Sequence, residues 1–172
     1  HPDASEMYHN GFSSFVDMNT LTGGLCGKSR PVHFRGVCTV VAKLFNIVTP
    51  DRAYFGQKDA QQLAVIRHMA DDLSYGIEIK GCPIIREEDG LAKSSRNTYL
   101  DEKERKAALV LSKALSEGRK LIELGERDAD KIKDTVTGII NTEPMAKIDY
   151  VEIVKWDSLE PVKNIDGPVL AA

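Results

Sequence analysis

The stretch YFGQKDAQQL, Tyr54 to Leu63, gathers Gly56, Lys58, Asp59, Gln61 and Gln62 where a strand pattern gives way to a helix pattern. A glycine at such a corner lets a ligand approach the backbone. The amides of the helix start favour an anion. Lys58 adds a compact positive charge suited to phosphate or carboxylate. Gln61 and Gln62 fall in the first helical turn, where one of them can face a bound molecule. Asp59 has the side chain of a helix N-cap. A capped helix beside a solvated lysine would also account for this corner.

Two further clusters carry charge. In DGLAKSSRNTYL, Lys93, Ser94, Ser95 and Arg96 place two cations and two hydroxyls side by side. Arg offers a planar fork, Lys a point charge and Ser short hydrogen bonds, a set that suits a triphosphate or a leaving pyrophosphate. The upstream Asp89-Gly90 pair marks a turn and suits a movable flap. A polar linker between domains is the alternative. In KSRPVHFRGV, Arg30, His33 and Arg35 collect near a helix start. That favours an anion, or a surface-charged helix with a histidine satisfied in a turn.

The elements that must hold these groups follow from hydrophobic spacing. Ser14 to Met18 suits a short strand, and TGGLCGKSRPVHF reads as a loop punctuated by Gly23, Gly24, Gly27 and Pro31. Val37, Val40, Val41, Leu44, Phe45 and Val48 recur at i, i+3, i+4, i+7, i+8 and i+11, which predicts one apolar helix face ending before Pro50. DRAYFG predicts a short buried strand ending at Gly56. The next helix presents Leu63, Ile66, Ala70 and Leu73, with Met69 at the edge. Ile77 to Lys80 predicts another strand. Helix, strand, helix, strand is the order of a parallel sheet with crossover helices. Beyond Ile84 the pattern changes. Asp101 and Glu104 form a capping box, a long helix runs to about Leu124, and Gly125 stops it. A helix over about 130–140, a strand in IDYVEIV and a start of another in GPVLAA complete the reading. The expected class is α/β, with residues 1–84 the C-terminal part of a Rossmann-like sheet and residues 85–172 a smaller α+β domain.

Composition narrows the function. The 172 residues carry a net charge of −3, with 42% apolar and 28% charged side chains. That balance is ordinary for a globular protein and lacks the basic excess of nucleic-acid or membrane-surface binders. No apolar run approaches the length of a membrane span. Cys26, Cys38 and Cys82 are odd in number and lack metal-ligand spacing, so a reducing, cytoplasmic setting is expected.

Three blocks, RPVHFRGV at Arg30 to Val37, FGQKDAQQ at Phe55 to Gln62 and DGLAKSSRN at Asp89 to Asn97, in this order and spacing, closely resemble the pantoate–β-alanine ligase family. The resemblance covers nearly the whole chain. It implies a nucleotidyltransferase-type, Rossmann-like domain plus a small C-terminal domain, and condensation of pantoate with β-alanine using ATP and Mg²⁺ through a pantoyl adenylate. It implies nucleotide contacts around Gly56 and Gln57, with Asp59 at the ribose end. Lys58 then meets ATP phosphates and the pantoate carboxylate, and Gln62 hydrogen-bonds pantoate. Ile85 holds adenine through its backbone, and Lys93, Ser94, Ser95 and Arg96 form the phosphate loop. Arg30 and His33 take supporting places near the pantoate pocket. No protein ligand for the metal is implied in this chain, and the family suggests a homodimer. His1, His9, His33 and His68 do not form the family's HxGH motif, so the chain corresponds to roughly the C-terminal 60% and is expected to be inactive alone. A non-catalytic binding or assembly module, or an adenylyltransferase of the same superfamily, stands as the alternative.

Overall fold

A computed structural model describes residues 2–172; His1 lies outside the described residues. The chain divides into two compact units, one ending at Cys82 and the other spanning Pro83–Ala172.

In the first unit, a short helix α1 (Ala4–Met7) leads into extended chain, and α2 (Leu25–Ser29) precedes α3 (His33–Val48). Strand β1 (Arg52–Gly56), a 3-10 turn (Gln57–Asp59), α4 (Ala60–Asp72) and β2 (Glu78–Cys82) follow. β1 and β2 are parallel neighbours, with Arg52 opposite Glu78 and Gly56 opposite Cys82, and α4 is the crossover between them. This is the α/β arrangement expected from the spacing.

Several local expectations change. Ser14 to Met18 forms no strand: Val16 N–H donates to the Thr39 hydroxyl on α3 instead of to a neighbouring strand. The glycine-rich loop contains α2. The buried stripe of α3 is Phe34, Cys38, Val41, Ala42 and Phe45, while Leu44 and Val48 of the expected face are exposed. The helix is apolar on more than one side, so periodicity alone misplaces its inner face. β1 is not buried, because its residues alternate between exposed and half-buried. Among the described residues one sheet face is covered, where Leu63 and Arg67 of α4 lie against Gly81 on β2. The opposite face carries Arg52, Glu78 and Lys80, and Glu78 pairs with both cations. Those bonds hold the Glu78 carboxyl below its ordinary range, Lys80 contributing most. On α4 the core side chains are Leu63, Val65, Ile66 and Met69, with Met69 central and Leu73 exposed.

In the second unit a hairpin-like segment reaches a 3-10 turn (Ser95–Tyr99) and then α5 (Glu102–Glu123), α6 (Ala129–Ile140), β3 (Ile153–Lys155) and β4 (Val169–Ala171). Asp101 accepts from the Lys103 and Glu104 amides while Glu104 bonds back to the Asp101 N–H, the expected capping box. Gly125 takes φ +101°, a left-handed conformation that ends α5. Ala114, Ala129, Ile132, Val136, Ile140, Ile153 and Ile165 form the core. Gly118 lets α5 and α6 approach, since a Cβ there would lie 2.8 Å from Val136 Cγ2. The strand expected over IDYVEIV is confined to Ile153–Lys155, which pairs antiparallel with β4. Ile148 and Val151 pack against the core instead. Among the described residues, no helix is long and apolar enough to cross a membrane.

Candidate functional site

The corner at Gly56 is built from an extended strand end. Gly56 has φ −72° and ψ 135°, which any residue adopts, and a Cβ built on it meets nothing within 4 Å. Its backbone is therefore open on the side where a side chain would stand. Gly81 is the opposite case, because a Cβ there would lie 2.9 Å from Leu63 Cδ2 and 3.1 Å from the Arg67 guanidinium. Gly81 is dictated by packing, and Gly56 is not.

Past Gly56 the chain turns through Gln57, Lys58 and Asp59 before α4 begins. Asp59 occupies the N-cap position but makes no capping hydrogen bond, contrary to its expected capping role. The 3-10 turn directs its carboxylate to Lys58, with Nζ 3.6 Å from Oδ1 on the exposed surface. A pair this exposed and this long contributes little to stability.

The two glutamines separate cleanly. Gln61 is buried, and its amide makes four hydrogen bonds to the 21–27 segment. Gln62 is half-buried, and among the described residues its side chain makes no hydrogen bond. Of the two, Gln62 is the one available to a ligand. Residue type and spacing did not separate the two; the family resemblance alone favoured Gln62.

Arg30 and His33 lie where α2 ends and α3 begins. The His33 N–H donates to the Arg30 carbonyl, and the His33 ring stands 5.1 Å from the Phe34 ring. Arg30 is exposed. Arg35, grouped with them by sequence, is committed elsewhere: its guanidinium donates twice to Asp17, at 2.9 and 2.6 Å. Nearby Cys38 is buried, and burial, aided by the Asp17 charge, pushes its thiol up to about 11. It is a core thiol and not a nucleophile at neutral pH.

In the second unit, Ile85 to Lys93 fold back on themselves. The Lys93 N–H donates to the Ile85 carbonyl, and the Glu87 N–H to that of Leu91. Gly90 turns the tip with φ +93°. Asp89 accepts from the Leu91 amide and from Arg105 on α5 at 2.7 Å, so the tip is tied to α5. Ile85 remains exposed.

Ser94 caps the 3-10 turn, its Oγ accepting from the Arg96 N–H at 3.3 Å. Asn97, absent from the candidate groups, donates through Nδ2 to the Ala92 carbonyl and joins turn to hairpin. Lys93 faces Glu87 at 3.7 Å. Ser95 and Arg96 are exposed, and the Arg96 guanidinium has no partner among the described residues. The structure thus brings Lys93, Ser94, Ser95 and Arg96 together in one folded loop, and Gly56 to Gln62 at one corner of the other unit. No group of three or more His, Cys, Asp or Glu that could hold a metal occurs among the described residues.

A family model described as pantoate-beta-alanine ligase matches residues 1–172. Pantothenate synthetase from Heliobacterium modesticaldum is 59% identical over 171 residues, and that from Clostridium botulinum (strain Langeland) 55%; each match covers 99% of this chain and 61% of the relative. The crystal structure of pantothenate synthetase from Thermus thermophilus superimposes with a TM-score of 0.94 at 42% identity, covering 98% of this chain and 61% of that one. A Francisella tularensis pantoate-beta-alanine ligase, complexed with beta-gamma ATP and beta-alanine, matches with a TM-score of 0.67 at 28% identity, over 86% of this chain and 53% of its own. The chain therefore spans 61% of the length of the curated relatives it matches. With the family matched along all 172 residues and the fold shared, the chain belongs to the pantoate–β-alanine ligase family.

Proposed function

We propose that the protein containing this sequence condenses pantoate with β-alanine at the expense of ATP. The observation that carries the reading is Gly56. Its backbone is uncovered on the side where a side chain would stand, beside Lys58 and Gln62, so a molecule can approach it closely there. The open amides of the helix start suit the nucleotide's anionic groups.

In the first step a pantoate carboxylate oxygen attacks the α-phosphorus of ATP. A P–O bond forms, the bond to the bridging oxygen breaks, and pyrophosphate leaves. Two anions meet in this step. Lys58 offsets their repulsion at the corner, and Gln62, its amide uncommitted, holds pantoate. The chain at Gly56 and Gln57 contacts the nucleotide, with Asp59 at its ribose end and the Ile85 backbone at its base. Ser94, Ser95, Arg96 and Lys93 take the phosphates; Arg96 is free to do so, whereas Lys93 must leave Glu87. In the second step the β-alanine amine attacks the acyl carbon, the acyl–phosphate C–O bond breaks, AMP leaves and the amine releases a proton. No covalent enzyme intermediate is needed, and catalysis is positioning and charge stabilisation.

Mg²⁺ commonly binds through substrate phosphates with one or two carboxylates. In that manner it would be carried on the ATP phosphates. Arg30 and His33 support the corner from the start of α3. The division into a Rossmann-like unit and a smaller unit bearing the phosphate loop, a homodimer and a cytoplasmic location belong to the same proposal.

The test is AMP release from ATP and Mg²⁺, with and without pantoate and β-alanine. It is run on this chain and on the chain extended with the N-terminal segment of the Clostridium botulinum relative. Turnover in the extended chain that needs both substrates is the expected result, with none in this chain alone. Turnover without β-alanine would point to an adenylyltransferase, and none in either to a binding module.

A further inference from the structure

Gln61 is 6% exposed, and every hydrogen-bonding position of its side-chain amide is used. Oε1 accepts from the Gly27 N–H at 3.2 Å and from the Cys26 thiol at 3.1 Å. Nε2 donates to the carbonyls of Leu21 and Gly24, each at 2.9 Å. All four partners lie in residues 21–27, more than thirty positions earlier in sequence. Gln61 itself sits between Lys58 and Gln62, in the first turn of α4.

The segment it grips is strained and tight. Leu25 takes φ +48°, a left-handed conformation unfavourable to a branched side chain. The bonds from Gln61 flank it, at the Gly24 carbonyl and the Gly27 amide. Gly27 passes so close to Thr22 that a Cβ would fall 2.2 Å from the Thr22 carbonyl oxygen. Strain of this kind persists only where the surroundings over-determine it, and it collects at ligand sites.

We propose that Gln61 is a positioning residue: its side-chain amide locks the 21–27 segment, with Leu25 held left-handed, onto the turn that carries Lys58 and Gln62. The lock makes segment and corner one rigid piece, so the approach to α3 that bears Arg30 and His33 is fixed from the corner. The lock itself stands on hydrogen bonds alone; its consequence for catalysis rests on the proposed roles of Lys58 and Gln62.

Amide hydrogen exchange on the 172-residue chain, without ligand, tests the lock separately from the ligase reading. In the unsubstituted chain the Gly27 amide is expected to exchange as slowly as the α4 core amides of Val65 and Ile66. Fast exchange there overturns the proposal without any variant being made. Gln61→Glu keeps the shape but turns two donors into acceptors facing the Leu21 and Gly24 carbonyls. Gly27 protection should then fall by about tenfold or more at neutral pH. Lys58 and Gln62 resonances should shift, and Val65 and Ile66 protection should hold. Lowering the pH until the carboxyl protonates, which burial against two carbonyls places above the free value of about 4.3, restores one donor and should recover Gly27 protection. A uniform loss of protection, no acid recovery, or unmoved Lys58 and Gln62 resonances would each refute positioning. If Gln61→Glu does not fold, Gln61→Met tests the same local loss with no charge added.

Discussion

Gly56→Ala separates what the fold needs from what a ligand needs. The residue is extended, with φ −72°, and its missing Cβ points into open space. Alanine therefore costs no contact in the folded chain and removes backbone freedom from the unfolded one. Such a substitution stabilises by about 0.4–1 kcal/mol. If a nucleotide lies against this backbone, the added methyl overpacks the contact, at about 1–3 kcal/mol. That corresponds to roughly 5- to 150-fold weaker binding. Gly81→Ala is the internal control, with the same chemistry on the paired strand. Its Cβ would meet Leu63 at 2.9 Å, and Leu63 is too buried to give way freely. It should lose about 1–3 kcal/mol of stability. Urea denaturation supplies the stabilities, and amide-shift titration with ATP and Mg²⁺ supplies the affinities. A destabilised Gly56→Ala chain would show that the fold needs this glycine. An ATP titration identical to that of the unsubstituted chain would remove the corner from the nucleotide site. Either result sinks the argument for Gly56.

Other expectations follow from individual residues. Arg96→Ala in the extended, active chain should slow adenylation by about 2–4 kcal/mol of barrier, as for an oxyanion-type donor; an unchanged single-turnover rate would take the loop out of the mechanism. Cys38, raised to about 11, should resist thiol reagents at neutral pH until the chain unfolds. Because its folded pKa lies above the unfolded value of 9.0, its contribution to stability is whole below 9 and declines as pH rises from there to about 11, which denaturation midpoints across that range can check. Gly118→Ala should destabilise by up to about 2 kcal/mol, since the clash with Val136 at 2.8 Å outweighs the helix-propensity gain. Gly138→Ala, with nothing within 4 Å, should stabilise by about 1 kcal/mol. Among the described residues β1 pairs only with β2, so its other edge should promote self-association, seen as a concentration-dependent sedimentation coefficient.

The parallel pair with its crossover helix was legible in the sequence because strand and helix periods change sharply at Gly56, and the α5 boundaries because capping box and stop glycine act locally. The inner face of α3 was not. Its sequence is apolar at Val37, Val40, Leu44, Ile47 and Val48 as well as on the buried side, and only its packing partners, distant in sequence, decide between them. The supposed Ser14 to Met18 strand failed because a strand exists through its neighbour, and Thr39 took the Val16 amide. Asp59 was a sound cap by residue type, but the 3-10 turn aimed it at Lys58. At the candidate site, residue types pointed to both charged loops. They could not tell which members the fold had already consumed, because that depends on contacts distant in sequence: Gln61 with residues 21–27, Arg35 with Asp17, Asp89 with Arg105.

That division is informative in itself. Buried polar groups are satisfied internally because leaving them unmade costs about 1–3 kcal/mol each. The fold follows that rule at Gln61, and in two further pairs it commits one member and leaves the other open. Gln61 is saturated while Gln62 is open, and Arg35 is doubly bonded to Asp17 while Arg96 is free. Gly81 is demanded by Leu63, and Gly56 is demanded by nothing among the described residues. The open members are the ones proposed above to meet pantoate, phosphate and nucleotide. A side chain selected for packing alone has no reason to fall on the open side of each pair. Substitutions at Gln62, Arg96 and Gly56 should therefore alter binding with little change in stability, the reverse of Gln61 and Gly81.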